Sequence, residues 1–140
     1  MISKRLTLIL LLLIACSPSG EERRETIAWI DDYQRGMQLA SETGKPAMVF
    51  FTADWCPPCR ELKRNVFSNR DVVEASRRLI NIYVDADKSP ETLRANYVNE
   101  IPTIFFLKPQ GDKIKTLKGR PSVDAFLDHM QALSKAYPGR

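Results

Sequence analysis

Cys56-Pro57-Pro58-Cys59 follows the apolar run of residues 47–52 and the short linker Ala53-Asp54-Trp55. That run reads as a strand covered on both faces. Proline is tolerated in the first turn of a helix, where its missing N–H costs no hydrogen bond. The two thiols therefore stand three positions apart where a strand hands over to a helix N-terminus. There the helix dipole and free backbone N–H groups favour a thiolate. Such a pair can cycle between dithiol and disulfide, supply half of a metal site, or brace the turn.

The chain has three cysteines, and the third, Cys16, closes an N-terminal apolar segment. Lys4 and Arg5 precede residues 6–15, in which Thr7 is the sole polar side chain. The run is too short for a spanning helix and has the layout of a secretory signal. Leu13-Ile14-Ala15-Cys16 resembles the lipobox of bacterial lipoproteins, in which the chain is cut before a cysteine that carries diacylglycerol. An uncleaved anchor and an ordinary signal with a chance cysteine are the rival readings. The order of basic pair, apolar run, small residue and Cys favours the lipobox. Residues 1–15 are then a signal peptide, and residues 16–24 a polar tether lipidated at Cys16, firmly held at a membrane by several acyl chains. The mature chain is expected in an extracytoplasmic, disulfide-permissive space on the periplasmic side. Cys56 and Cys59 would be its only thiols.

Loss of residues 1–15 removes Lys4 and Arg5 and no acidic residue, lowering the formal net charge of +4 by two. No long basic run remains, so no nucleic-acid partner is expected. What is left suffices for one domain with a single core.

From residue 25 onward the apolar period switches between strand and helix. Residues 26–30 read as a short strand, and Asp31 or Asp32 caps a helix through Thr43, with Tyr33, Met37 and Ala40 on one face and Gly44 at its end. Residues 60–67 read as helix with Leu62, Val66 and Phe67 inward, and Ser68-Asn69-Arg70-Asp71 resembles a capping box that restarts it. Residues 79–84 form a second buried strand. Ser89-Pro90 reads as N-cap and N1 of a helix carrying Leu93 and Tyr97. Residues 103–107 and 113–117 form an antiparallel hairpin about Pro109-Gln110-Gly111-Asp112. Val123, Phe126, Leu127, Met130, Leu133 and Tyr137 stripe a last amphipathic helix, with His129 off the stripe at the surface. This order predicts an α/β domain over residues 25–137, a mixed central sheet with helices on both faces, and a tail at 138–140.

Phe51-Thr52-Ala53-Asp54-Trp55-Cys56-Pro57-Pro58-Cys59-Arg60 is similar to the Trp-Cys-x-Pro-Cys-Lys/Arg motif of the thioredoxin family, and Ile101-Pro102-Thr103 resembles its cis-proline segment. Gly44-Lys45-Pro46, Val66-Phe67-Ser68 and Val72 bring the chain nearest to the C-terminal domain of the thiol:disulfide interchange protein DsbD. The resemblance implies a thioredoxin fold and a cis Pro102 beside the cysteines, with Ile101 as the docking edge for an extended substrate. It also exposes a departure. The family's buried acid, six residues before the first cysteine, is Phe50 here, and the DsbD domain's second acid falls at Lys63. Proton transfer would have to use water, Asp54, Glu61 or another group, and a slower resolving step is expected.

The chemistry follows from the turn itself. Cys56, at the positive end of the helix and the more exposed, is the expected nucleophile. Cys59, one turn in and shielded, is the resolving thiol. Pro57 and Pro58 stiffen the loop and remove two donors that would stabilise a thiolate, making the pair less oxidising. Trp55 is expected to shield Cys56 or touch the partner, and Asp54 to be a solvated carboxylate. Structural zinc needs about four N/S ligands, more than two thiols and one His provide, so no metal or other cofactor is expected. A structural bridge closes too short a loop to stabilise much. The expected activity is therefore thiol–disulfide exchange on protein partners, more in the reducing direction, with electrons from a membrane carrier of the DsbD or CcdA type. A binding module and a metal chaperone on the same fold are the alternatives.

Overall fold

The computed structural model describes residues 26–140; the expected signal peptide, the lipidation expected at Cys16 and the expected tether fall outside them. The elements run β1 (Trp29–Ile30), α1 (Tyr33–Thr43), β2 (Ala47–Thr52), α2 (Pro57–Asn65), α3 (Arg70–Ser76), β3 (Ile80–Asp85), α4 (Pro90–Ala95), β4 (Thr103–Leu107), β5 (Lys113–Lys118) and α5 (Val123–Ala136). They build a five-stranded sheet in the order β1-β3-β2-β4-β5. β1 and β2 flank β3 in parallel, while β4 runs antiparallel to β2 and to β5. The mixed sheet expected from the sequence is present.

Strand alternation divides the core in two. Met48 and Phe50 of β2 join Ile104 and Phe106 of β4 on one face, under Leu62 of α2, Val72 of α3 and Phe126, Met130 and Leu133 of α5. Val49 and Phe51 join Phe105, Leu107, Ile82 and Val84 on the other, against Ala40 of α1 and Leu93 of α4. β2 is buried along its whole length, which is why its sequence lacks polar alternation. Each fully buried Phe contributes on the order of 2 kcal/mol by removal of apolar surface from water.

Local chemistry sets most boundaries. Asp32 accepts from the Arg35 N–H at 2.9 Å, and Gly44 closes α1 at φ 67°. Gly36 lets α1 lie on β3: a Cβ there would stand 2.5 Å from Ile82 Cγ1. Burial pushes the Tyr33 phenol up from its usual 10.0, and its hydrogen bond to Asn96 partly offsets this.

Some local expectations are corrected. The first strand is confined to Trp29–Ile30. Asn69, not Ser68, caps α3, its Oδ1 accepting from the Asp71 and Val72 N–H groups, while the Ser68 hydroxyl donates back to the Arg64 carbonyl. Ser89 and Pro90 do stand at the N-cap and first position of α4 as expected, though Ser89 makes no side-chain cap bond. The helix does not carry Tyr97: α4 stops at Ala95, and Tyr97 has φ 56° and is 92% exposed. Leu93 and Val98 make the apolar contact instead. His129 is also half-buried, its ring 6.1 Å from that of Phe106.

Candidate active site

Cys56 is the N-cap of α2, and Pro57 and Pro58 fill its first two helical positions. A helix start leaves its first N–H groups without intrahelical partners. Here the prolines remove two of these donors. The next one, the Cys59 N–H, points back at Cys56 Sγ at 3.3 Å, while Arg60 N–H makes the first helical bond to the Cys56 carbonyl. The cap that Ser or Asp usually provides is made by sulfur. Cys56 and Cys59 are joined as a disulfide, with Cα atoms 5.3 Å apart. Cys56 is 2% exposed and Cys59 0%. In the disulfide both are buried, so a partner's reach to Cys56 runs past its neighbours.

Those neighbours are placed by other elements. Trp55 is 63% exposed, and its indole N–H donates to Asp87 Oδ2 in the loop after β3. Pro57 is exposed and Pro58 half-buried. Because β2 and β4 are antiparallel, with Phe51 opposite Thr103, the end of β2 and the start of β4 lie at the same end of the sheet. The Ile101–Pro102 peptide at that end is cis, as the resemblance implied. Ile101 packs on the cluster that contains both cysteines. Pro102 offers its carbonyl to the Gly119 N–H, whereas Ile101's own N–H and C=O have no partner among the described residues.

The charged groups form a flank rather than a buried acid. Phe50 is fully buried in a ring cluster with Trp29, Phe67 and Tyr83. Lys63 Nζ donates to the Tyr83 hydroxyl at 2.7 Å and stands 3.7 Å from Asp54 Oδ1. The Asp54 side chain is 85% exposed, the solvated carboxylate expected. Glu61 pairs with Arg120. Periodicity missed Asp87 and the Lys63–Tyr83 pair. A hydroxyl on an otherwise apolar strand run was the available hint for Tyr83; nothing local marks Asp87.

Among the described residues no group of three or more His, Cys, Asp or Glu stands together as a metal site. The hollow between β5 and α5, about 270 Å³ and lined by Ile114, Leu133 and Tyr137, includes none of the residues around the disulfide.

A disulfide at a helix N-cap, beside a cis-proline on this mixed sheet, places the chain among folds built for thiol–disulfide exchange. A model of the thioredoxin-like domain matches residues 33–134, and the chain belongs to that family. It is 30% identical over 111 residues to the thiol:disulfide interchange protein DsbD of Vibrio vulnificus, covering 75% of this chain and 19% of that protein. The chain thus spans about a fifth of that relative's length. A thioredoxin from Thermus thermophilus superposes with a TM-score of 0.68 at 26% identity, covering 76% of this chain and 86% of that one. The oxidised DsbD C-terminal domain of Neisseria meningitidis superposes with a TM-score of 0.65 at 22% identity, covering 76% and 99%, a likeness of fold.

Proposed function

We propose that this protein is a thiol–disulfide oxidoreductase that reduces disulfides in secreted or envelope proteins, held outside the cytoplasm by lipid on Cys16. The observation that carries the redox reading is the Cys56–Cys59 disulfide closed across the first turn of α2. In the reduced state the Cys56 thiolate attacks a partner disulfide, forming a mixed disulfide and expelling one partner sulfur. Cys59 then loses its proton and attacks the Cys56 sulfur, closing the internal disulfide and releasing the second partner sulfur. The partner gains two electrons and two protons, and this chain loses them. Trp55, Pro57 and Pro58 form the surface that the partner crosses, and Ile101 offers it backbone groups beside Pro102.

The reducing direction is supported by the two prolines, which leave a single N–H aimed at Cys56 Sγ, and by isoleucine before Pro102, as in reducing thioredoxins. Returning the pair to dithiol outside the cytoplasm needs electrons from a membrane carrier of the DsbD or CcdA type. Apo-cytochrome c and misoxidised secreted proteins are fitting clients. Cys59→Ala, expressed in the native host, should accumulate mixed disulfides on Cys56 that mass spectrometry identifies; the absence of any trapped species counts against the redox reading. A reduction potential near about −270 mV supports reduction, and one near about −120 mV overturns it.

A further inference from the structure

Lys63 lies one helical turn beyond Cys59 on α2. Residues four apart on a helix are neighbours, with Cβ atoms about 5–6 Å apart. The Lys63 side chain is 33% exposed, and its ammonium is fixed by donation to the Tyr83 hydroxyl at 2.7 Å. Tyr83 comes from β3, pairs in register with Phe50, and borders the cluster that contains Cys59. A cation is thus tied from sheet to helix one helical turn from the fully buried Cys59.

The other ionisable groups do not cancel it. Asp54 approaches Lys63 from the loop before Cys56 at 3.7 Å, but with its carboxylate 85% exposed this is a weak surface pair that offsets the ammonium only in part. Arg60 donates to the Asp54 carbonyl, and Glu61 is held by Arg120. From α3 and α5 the residues entering this cluster are apolar, among them Val72, Val73, Phe126 and Met130. The Tyr83 hydroxyl accepts from Lys63, and Cys56 is tied up in the mixed disulfide when Cys59 acts.

We propose that Lys63 is a positioning residue for the resolving step: its held positive charge stabilises the Cys59 thiolate, and Tyr83 keeps the ammonium in place. The inference rests on the redox reading above. In the step, the Cys59 S–H gives its proton to water, the thiolate attacks the Cys56 sulfur, the Cys56–partner bond breaks, and the partner leaves as a thiolate that takes a proton from solvent. Phe50 provides no acceptor for that proton, so lowering the free energy of the thiolate is what this chain has in its place.

The test loads Cys56 of the reduced protein with thionitrobenzoate and follows release of the second thionitrobenzoate by stopped flow between pH 5 and 9. Lys63→Met should slow release at pH 7 by about three- to tenfold, the size set by one charge a helical turn away behind partial solvent screening. It should also move the half-maximal rate to higher pH. Lys63→Arg should retain most of the rate, and Tyr83→Phe, which frees the ammonium but keeps the ring, should fall between. Equal rates and profiles for Lys63→Met and the native protein, or Lys63→Arg behaving as Lys63→Met, overturn the proposal and leave the redox reading standing. Failure of the native protein to release the second thionitrobenzoate overturns both.

Discussion

The indole N–H of Trp55 donates to Asp87 Oδ2 at 2.9 Å, joining the residue before Cys56 to the loop that follows β3. That loop is itself set by Asp85, whose Oδ1 accepts from the Asp87 and Lys88 N–H groups at 2.9 and 3.3 Å. Trp55 is 63% exposed, so this bond is what gives a largely solvated ring one orientation at the mouth of the disulfide. An exposed hydrogen bond of this kind contributes about 0.5–1.5 kcal/mol. Asp87→Ala should therefore lower kcat/KM for reduction of a protein disulfide by about two- to tenfold, with stability little changed, and Asp87→Asn should retain most of the rate. A rate for Asp87→Ala equal to that of the native protein would show that the orientation of Trp55 has no part in partner contact.

Tyr97 occupies a position that glycine usually fills. The Val98 N–H bonds to the Leu93 carbonyl and the Tyr97 N–H to that of Arg94, and Leu93 and Val98 pack on one cluster. This is the Schellman arrangement, with its left-handed residue just past the helix end. A left-handed L-residue costs roughly 1–2 kcal/mol, and a ring 92% exposed recovers little of it by packing. Tyr97→Gly should raise unfolding stability by about 0.5–1 kcal/mol after glycine's greater unfolded-state entropy is allowed for. Urea denaturation measures it, and a lower midpoint with unchanged slope would refute the strain argument.

The same residue shows where sequence reading stops. Leu93 and Tyr97 are four apart, a spacing that fits an inward helical stripe, but Val98 reached the core by ending the helix early. Periodicity sees spacing and cannot see which of two nearby apolar residues a three-dimensional contact will select. At α3 the choice between Ser68 and Asn69 turned on one residue of register, and the Asn69 amide won by accepting two N–H groups. What was legible was dense and local: a wholly buried β2, the Cys-Pro-Pro-Cys turn, the hairpin and the stripe of α5. The cis peptide at Pro102 was expected from family resemblance alone, since nothing in Ile101-Pro102-Thr103 itself dictates it. Long-range polar pairs carry no periodic signal, which is why Trp55–Asp87, 32 positions apart, and Lys63–Tyr83, 20 apart, emerged only with the fold.

Thr52 presents a buried polar group just ahead of the active-site turn. It is fully buried, its hydroxyl has no hydrogen-bond partner among the described residues, and strand alternation sets it on the face of Met48 and Phe50. Its backbone is secured by register with Asp85 and by the Ala86 N–H, which donates to the Thr52 carbonyl at 2.8 Å. The side chain therefore contributes shape to β2 while its oxygen carries an uncompensated desolvation cost of about 1–3 kcal/mol. Valine keeps the β-branched shape and the strand propensity and removes that oxygen. Thr52→Val should raise unfolding stability by about 1 kcal/mol, read as a higher urea midpoint at unchanged slope. Thr52→Ser, which keeps the hydroxyl and loses a methyl, should lower it by a similar amount. A loss of stability in Thr52→Val would mean that the hydroxyl is satisfied in solution.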